Sequence, residues 1–266
     1  MVHTVEFASV LPGAIGFKEG NINDTYRGQV LRQNGSIATA VLKDVGPKEL
    51  ANELLCFVLA RMLDLPVPDA LLAQAAMSDL STSKGPLTRD GRRLVLASTD
   101  VGVPNIQFRY QKDVPGRARL LAAITAWPNL GRLYGFDAWV ANVDRHAGNL
   151  LFGSGAEAWL IDHGWAFTGP DWNSAGLDSS AEYPHRLSEW LTPHLTDAGK
   201  IARARQSGVL QADLSKIDID AAIAASKAEL LLLPEELDAV RMFLHNRIAE
   251  VTRLACSALN LSVLPI

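Results

Sequence analysis

The chain has 266 residues, of which 48% are hydrophobic and 20% are charged, and its formal net charge is −4. This composition is typical of a globular protein and excludes a disordered or fibrous one. Sequence-independent binding of nucleic acid depends on many cations that neutralise phosphates. Because this chain is mildly acidic, we expect no direct nucleic-acid partner.

The hydrophobic residues are not gathered into a membrane-spanning segment. The longest apolar run, around residues 54–65, is interrupted by Arg61 and Asp64, and it is shorter than the roughly 18 to 20 residues that a spanning helix needs. The first residues lack the basic start and apolar core of a secretion signal. Cys56 and Cys256 lie in segments with a helical pattern. We therefore expect a cytoplasmic protein with no membrane span and two reduced thiols.

The first hundred residues are predicted to be mainly strands around one helix. Residues 25–32 and 36–44 flank Gln33-Asn34-Gly35, and Asn-Gly is a strong signal for a hairpin turn. Gly46-Pro47 predicts the start of a helix that ends before Pro66. Further strands are predicted at residues 68–75 and 93–98, with a polar loop at 78–91.

One carboxylate of the predicted helix falls on its inward side. At 100° per residue, Glu53 lies beside Leu50 and Phe57 of the apolar stripe, whereas Glu49 points further toward solvent. A carboxylate beside an apolar stripe needs a cationic partner, because its charge is otherwise buried without compensation. We expect Lys43, at the end of the preceding strand, to be this partner; Glu49 is the competing carboxylate.

The remainder of the chain, from about residue 117, is predicted to be mostly helical. Helices are expected at residues 117–127 and 133–142, followed by at least three more, the last of which starts at Pro234. The predicted fold class is α+β. It has a small β-rich lobe at residues 1–100 and a larger α-helical lobe at residues 101–266.

The most informative side chains surround a short predicted hairpin. Asp144 and Asn149 follow a helix, and the short apolar strands 150–152 and 159–161 are joined by a Gly-Ser-Gly turn. Because a hairpin brings its two ends together, Asp162 should emerge beside Asn149. The sequence therefore predicts that two carboxylates and one amide converge on one point.

Converging oxygen atoms suit phosphoryl transfer assisted by a metal ion. Magnesium prefers one or two carboxylates together with substrate phosphates and water. The reaction also needs a cation on the phosphates, a cover over them and an acceptor for the hydroxyl proton. Lys43, held by Glu53, would supply the cation, and Asp144 is left as the acceptor. The loop that contains Gly16 and Gly20 would cover the phosphates with backbone amides, or it could simply form a hairpin turn.

In this order the motifs resemble those of protein-kinase-like folds. Residues 142–149 (NVDRHAGN) are similar to the N-x-D-x-H-x-x-N catalytic loop of HipA-like kinases, which are bacterial serine/threonine kinases best known as toxins of toxin–antitoxin pairs. Residues 65–68 (LPVP) also resemble that family, and the likeness covers roughly residues 10 to 170. It implies two lobes, of which residues 1–100 bind nucleotide phosphates and 101–266 carry the catalytic loop and substrate-binding helices.

The resemblance also implies a role for each matching residue. Asp144 would be the catalytic base, Asn149 and Asp162 would bind Mg²⁺, and Lys43 would contact the phosphates of ATP. The implied cofactors are therefore ATP and Mg²⁺, and the implied acceptor is a serine or threonine hydroxyl of a protein. His146 would either act in the chemistry or fix the loop. An antitoxin-like partner is known for the toxin members, but no residue of this chain supports one.

Other acceptors and one non-catalytic function stay open. Residues 161–167 (IDHGWAF) are closer to the I-D-F-G-x-x-F of phosphoinositide kinases, and aminoglycoside phosphotransferases share D-x-H-x-x-N followed by I-D. A small-molecule or lipid-headgroup acceptor is the first alternative, and a nucleotide-binding pseudokinase module is the second. Arg145 could pair with a phosphate or an acidic residue, or lie at the surface. Asp100 falls where kinase-like folds connect their lobes and bind adenine through the backbone.

Overall fold

The computed structural model describes residues 3–17, 24–103, 114–153 and 157–262, apart from the side chains of residues 114, 115 and 117. Strands dominate its N-terminal part and helices its C-terminal part, as the sequence predicts. Within these ranges, no helix is both long and apolar enough to cross a membrane. The predicted domain boundary near residue 100 lies close to the end of the last strand of the N-terminal sheet, and it stays a prediction.

The N-terminal part folds into a six-stranded sheet with the strand order β1-β5-β6-β4-β3-β2. Strand β1 pairs in parallel with β5 and also pairs, antiparallel, with the C-terminal end of β3, where Val10 lies opposite Val30. This extra pairing closes the sheet on itself. The strands are β1 (Glu6–Val10), β2 (Ile15–Gly16), β3 (Asp24–Arg32), β4 (Ile37–Asp44), β5 (Ala70–Ala75) and β6 (Arg93–Thr99).

Small and branched apolar side chains fill the inside of the closed sheet. Because side chains alternate along a strand, Ala40 and Leu42 of β4 are buried there with Val30 of β3 and Val95 of β6. The neighbouring Val41 and Lys43 of β4 point to the other face, where they line a cavity. The alternation of β4 thus delivers Lys43 to the site described below.

The predicted hairpin between β3 and β4 is confirmed. Leu31 pairs with Ile37, and the turn is closed by hydrogen bonds from Arg32 N to Ser36 O (2.9 Å) and from Gly35 N to Arg32 O (3.0 Å). Gly35 has a φ of +80°, a conformation that costs glycine little. The Asn-Gly pair therefore sets the register that places Thr25 opposite Lys43.

Helix α1 (Pro47–Met62) begins after Gly46, as predicted, and every residue from Glu49 to Ala60 is buried. The prediction that Glu49 points toward solvent is wrong, because its side chain is packed against Gly164 from the C-terminal part: a Cβ atom on Gly164 would lie 2.6 Å from Glu49 Cγ. A helix covered on all sides has no solvent-facing stripe. Its position between the sheet and the C-terminal part explains the error.

The C-terminal part is built from helices and one short hairpin. The predicted helices at 117–127 and 133–142 are found at Val114–Ala126 and Leu130–Val140, and the last predicted helix starts at Pro234 but is interrupted by a 3₁₀ turn at Ile248–Glu250. The helices are α2 (Val114–Ala126), α3 (Leu130–Val140), α4 (Arg186–Leu191), α5 (Asp197–Leu214), α6 (Ile219–Ser226), α7 (Pro234–Arg247) and α8 (Val251–Ala258). Further 3₁₀ turns lie at Ala147–Asn149, Ser174–Gly176, Thr192–His194 and Ala228–Leu230.

The hairpin of β7 (Leu150–Phe152) and β8 (Ala158–Leu160) brings the predicted ends together. Leu150 pairs with Leu160, and Ile161 N donates to Asn149 O at 3.1 Å. The second strand lies one residue earlier than predicted. Residues 154–156, which include most of the predicted Gly-Ser-Gly turn, are outside the described residues.

Candidate active site

A cavity of about 650 Å³ lies between the sheet and the C-terminal part. This volume is within the usual range for sites that bind small molecules. Val41 and Leu96 line it from the sheet, and Leu151 and Leu160 line it from the β7–β8 hairpin, so part of its wall is apolar. The polar lining includes most of the side chains that the sequence singles out, namely Lys43, Glu53, Asp144, His146, Asn149 and Asp162.

Lys43 joins two carboxylates that come from different parts of the fold. Its Nζ lies 3.2 Å from Glu53 Oε1 and 3.1 Å from Asp162 Oδ1. The Lys43 and Glu53 side chains are only 16% and 6% exposed, whereas that of Asp162 is 39% exposed. The expected pairing of Lys43 with Glu53 is thus present, and Asp162 is the carboxylate of the cluster that is more open to solvent.

The charges in this cluster shift each other's pKa. Burial alone would lower the pKa of Lys43, but the negative charges of Asp162 and Glu53 outweigh it and raise that pKa. The pKa of Glu53 is raised by burial, against the opposing effect of Lys43. Burial also acts to raise the pKa of Asp162, but the nearby Lys43 lowers it overall. Asp162 is therefore ionised at neutral pH and available to a cation.

Asp162 is held in a left-handed backbone conformation with a φ of +63°. This region is uncommon for residues other than glycine, although aspartate is one of those that tolerate it best. On either side, Arg145 Nη1 donates to Ile161 O at 2.6 Å and His163 N donates to Glu53 Oε2 at 2.8 Å. These two bonds fix the turn that carries Asp162, and Glu53 holds the segment through its second oxygen.

The loop that carries Asp144 is closed by its own amides. Asp144 N donates to Asn142 Oδ1 at 3.2 Å, and Asn149 Nδ2 donates to Asp144 O at 3.1 Å. The Asp144 carboxylate faces two cationic or ionisable groups: Oδ1 is paired with Arg186, and Oδ2 lies 3.8 Å from His146 Nε2. Asp144 is therefore oriented by its backbone and by the groups around its carboxylate.

His146 also supports the loop locally. Its Nδ1 accepts a hydrogen bond from Gly148 N at 2.9 Å, which caps the 3₁₀ turn Ala147–Asn149. Burial lowers the pKa of His146 against the opposing charge of Asp144. The contacts of Nδ1 favour the interpretation in which His146 fixes the loop.

A buried ion pair beneath the loop was not predicted from the sequence. Arg145 and Asp137 of α3 are both fully buried, and Arg145 Nε lies 3.0 Å from Asp137 Oδ2. Of the alternatives for Arg145, an acidic partner is thus the one observed. The signal was present, because Asp137 is a lone carboxylate in an otherwise apolar stretch (LYGFDAWV) of this helix, and such a charge requires a partner.

Helix α1 also anchors the segment that follows Asp162. Asn52 Nδ2 donates to the carbonyl groups of Gly164 (2.8 Å) and Ala166 (3.0 Å), and Trp172 Nε1 donates to Asn52 Oδ1 (3.1 Å). Lys48 Nζ donates to Trp172 O at 2.7 Å. These polar residues of a buried helix position the segment from 164 to 172, and sequence reasoning missed them.

The glycine-rich segment is described only in part. Gly16 pairs with Tyr26 in the β2–β3 ladder and is not among the residues that line the cavity, whereas Phe17 and Thr25 are. Gly20 lies outside the described residues. The paired strands β2 and β3 therefore border the cavity, and the function of the glycine-bearing segment as a phosphate cover stays a prediction.

At another part of the wall, the chain leaves β6 through residues 99–103, all of which line the cavity. Asp100 N donates to Thr39 O at 2.9 Å, and its carboxylate pairs with Arg27 at 2.7 Å. The segment therefore borders the cavity at the end of the N-terminal sheet, and the adenine contact expected of it stays a prediction.

The donor atoms fit a magnesium ion that is completed by substrate. Among the described residues, no group of three or more His, Cys, Asp or Glu side chains is arranged to hold a metal. Magnesium usually takes one or two carboxylates and fills its remaining positions with phosphate and water. Asp162 offers a half-exposed carboxylate, and because Asn149 uses its amide nitrogen on Asp144 O, its amide oxygen is left as a ligand.

Comparison with known proteins identifies the family. A family model described as "HipA-like kinase" matches residues 34–179, which is more than half of the chain and includes Lys43, Glu53, Asp144, Asn149 and Asp162. The chain belongs to the HipA-like kinase family. The resemblance predicted from the sequence is confirmed, and family membership makes this HipA-like chain a phosphotransferase in general terms.

Among solved structures, the chain is similar to the crystal structure of CtkA, a proinflammatory kinase of Helicobacter pylori. The two share 12% sequence identity with a TM-score of 0.48, and the match covers 89% of this chain and 95% of CtkA. No curated protein matches the chain.

Proposed function

We propose that this HipA-like kinase transfers the γ-phosphoryl group of ATP, with Mg²⁺, to a serine or threonine hydroxyl of a protein. The proposal includes a two-lobed arrangement, in which the closed sheet and α1 bind the nucleotide phosphates and the helical part binds the acceptor. The choice of a protein acceptor rests on the similarity of residues 142–149 to the catalytic loop of the family. The proposal also includes a cytoplasmic location, because Cys56 and Cys256 are both free thiols, as is usual in a reducing compartment.

The observation that carries the proposal is the position of Lys43. Its ammonium group lies within 3.2 Å of a carboxylate of α1 and within 3.1 Å of the carboxylate that follows β8. In protein kinases, a strand lysine is held by a helix glutamate, and an aspartate binds the metal ion at the phosphates. In our proposal Lys43 pairs with phosphate oxygens of ATP, and Glu53 keeps the lysine in position.

The residues on the opposite wall would act on the acceptor and the metal. Asp144 accepts the proton of the attacking hydroxyl and orients its oxygen toward the γ-phosphorus, while His146 and Asn142 hold the loop in place. Asn149 and Asp162 would hold Mg²⁺, which supplies positive charge to the phosphate oxygens when it is bound. Little covalent chemistry is required of the protein, so positioning and electrostatic stabilisation account for most of the catalysis.

Two conservative variants test these roles separately. We expect Asp144→Asn to abolish transfer of labelled phosphate from ATP to a library of serine- and threonine-containing peptides, with ATP affinity nearly unchanged, because Asp144 contacts the hydroxyl and not the nucleotide. Asp162→Asn should instead weaken nucleotide binding in the presence of Mg²⁺, measured by thermal shift and calorimetry. Asp197→Asn is the matched control, because Asp197 is exposed in the first turn of α5.

The outcomes separate the proposal from its alternatives. Transfer to metabolites or lipid headgroups but not to peptides would move the acceptor to another class and leave the kinase chemistry in place. Nucleotide binding with no transfer to any acceptor would favour a pseudokinase module. Equal nucleotide binding in the Asp144 and Asp162 variants would contradict the division of roles between them.

A further inference from the structure

A cation from outside the catalytic loop reaches the carboxylate of Asp144. Arg186, the first residue of α4, pairs through Nη1 with Asp144 Oδ1. Its side chain is 53% exposed, whereas that of Asp144 is 18% exposed. Arg186 lies beyond residues 34–179, which match the family model. The pairing therefore concerns a residue for which neither the catalytic-loop motif nor the family match provides a role.

The backbone before Arg186 is fixed, so the arginine is not simply a free surface side chain. His185 stacks on Tyr134 with parallel rings 4.9 Å apart, and it caps the helix by accepting from Ser188 N at 3.3 Å. In the segment before α4, the carbonyl groups of Ser179 (2.9 Å) and Ala181 (3.0 Å) accept hydrogen bonds from the buried Arg247. These contacts hold the start of α4 where the guanidinium group reaches Asp144.

The lysine and arginine side chains that line the cavity are engaged with other carboxylates. Lys43 is paired with Glu53 and Asp162, and Arg27 is paired with Asp100. His146 is close to Asp144, but its Nδ1 accepts from Gly148 N, and its Nε2 lies 3.8 Å from Asp144 Oδ2, beyond hydrogen-bonding distance. Among the described residues, Arg186 is therefore the permanently charged side chain that is paired with Asp144, the proposed base.

We propose that Arg186 binds the transferred phosphoryl group on the side of the acceptor hydroxyl, an inference that rests on the proposed function. In the reaction, the acceptor oxygen bonds to the γ-phosphorus, and the bond from that phosphorus to the bridging oxygen of ADP breaks with its electron pair going to ADP. The acceptor proton passes to Asp144. The neutral carboxyl group then attracts Arg186 less, while the new phosphate ester carries nearly two negative charges. Because the planar guanidinium group matches phosphate oxygens, Arg186 pairs with the transferred group instead.

The test compares the wild type with Arg186→Ala and Arg186→Lys, and with Arg241→Ala as the control. Arg241 is also a partly exposed arginine paired with carboxylates, but it lies in α7 away from the cavity. Transfer from γ-labelled ATP is measured to a serine/threonine peptide library and to water. We expect R186A to lower kcat by about tenfold or more. The KM for ATP should stay within about twofold of that of the wild type, because the nucleotide does not depend on this group.

Chemical rescue distinguishes a direct role from a structural one. Guanidinium ion, added below the concentration that unfolds the protein, should restore part of the rate of R186A and leave that of R241A unchanged, and R186K should keep an intermediate rate. Wild-type kinetics in R186A would overturn the role of Arg186 while the proposed function stands. A reduced rate that guanidinium does not restore would also overturn it. A wild-type chain that binds ATP but transfers phosphate to neither peptide nor water would overturn the proposed function and this inference with it.

Discussion

At the scale of single residues, the cluster around Lys43 has one cation for two carboxylates. Glu53 is the more buried carboxylate and Asp162 the more exposed one. When all three groups are ionised, the cluster has one negative charge in excess. An excess negative charge beside a half-exposed carboxylate favours binding of a divalent cation. The same charge makes the cluster sensitive to the loss of its lysine.

We expect Lys43→Met to reduce phosphate transfer to background and to destabilise the fold by about 2–4 kcal/mol at pH 7, because removal of one partner leaves buried charge without compensation. The lowered pKa of Asp162 means that its contribution to stability is present above its unfolded pKa and is lost as the pH falls through the folded pKa. The raised pKa of Glu53 acts in the opposite direction, because it favours the folded state at acidic pH. Without Lys43, burial raises the pKa of both carboxylates, so they take up protons in mildly acidic buffer. The penalty in K43M should therefore be smaller there than at pH 7.

Urea unfolding of wild type and K43M at both pH values measures this difference. Glu53→Gln in the K43M background should recover part of the loss, because it removes one of the two carboxylates that then repel each other. A penalty that is independent of pH, or no recovery in the double variant, would show that the methionine destabilises through packing and not through charge.

The residues of this cluster also show what the sequence can predict. The pairing of Lys43 with Glu53 follows from one helix turn and the end of one strand, both of which are local. The burial of Glu49 depends on which elements pack against α1, and helical periodicity in one sequence does not contain that information. The sequence indicates that Asp137 needs a cationic partner, but it does not indicate that this partner is Arg145. The contact of Arg186 with Asp144 joins residues 42 positions apart, and no local pattern indicates it.

At the scale of elements, α1 connects the sheet to the segment that follows Asp162. The helix is buried along most of its length, and polar groups at Lys48, Asn52 and Glu53 all bind backbone or side chains between residues 162 and 172. Because buried backbone carbonyl groups need partners, Asn52 replaces hydrogen bonds that a regular strand would have provided. The segment can therefore be irregular and still be well anchored.

We expect Asn52→Leu to cost about 2–3 kcal/mol of stability, because it leaves the Trp172 indole N–H and the carbonyl groups of Gly164 and Ala166 without this partner. It should also weaken binding of ATP with Mg²⁺, because the freed segment carries Asp162 at its start. Thermal unfolding and nucleotide titration measure the two effects.

Ser207→Ala is the control for this experiment. Ser207 is buried and donates to Gly131 O at 2.7 Å, so its loss should destabilise the helical part without reaching the cavity. If S207A and N52L weakened nucleotide binding equally at matched stability, the anchoring function of Asn52 would be wrong.

Helix α1 and the strands β3 to β6 could be predicted from the sequence, but β1, β2 and the closure of the sheet could not. The β3–β4 hairpin follows from Asn-Gly, and the start of α1 follows from Gly-Pro. The pairing of β1 with β3 and its parallel pairing with β5 join distant segments, and their register is set by packing inside the closed sheet. The convergence of Asn149 and Asp162 was predictable, because a short hairpin brings its ends together whatever surrounds it.

At the scale of the whole molecule, the cavity is a boundary between two hydrophobic cores. One core fills the closed sheet, and the other extends from α1 through the helical part. Lys43 comes from a strand whose alternate residues belong to the first core, and Asp162 follows a strand that packs in the second. A nucleotide that contacts both side chains would therefore couple the two parts of the fold energetically.

We accordingly expect a non-hydrolysable ATP analogue with Mg²⁺ to slow amide hydrogen exchange on both sides of the cavity, in β4 (Ile37–Asp44) and in residues 158–163. At a ligand concentration of about 100 times Kd, linkage predicts about 2.7 kcal/mol of added stability, which slows openings that release the ligand by about a hundredfold. Helix α7 (Pro234–Arg247), which does not line the cavity, is the internal reference for amides that exchange by local opening. In Asp162→Asn the protection should fall on both sides together, because the substitution removes the carboxylate proposed to bind Mg²⁺ and so weakens nucleotide binding. Protection confined to β4, with no change in residues 158–163, would mean that nucleotide binds the sheet alone and that the cavity does not couple the two parts.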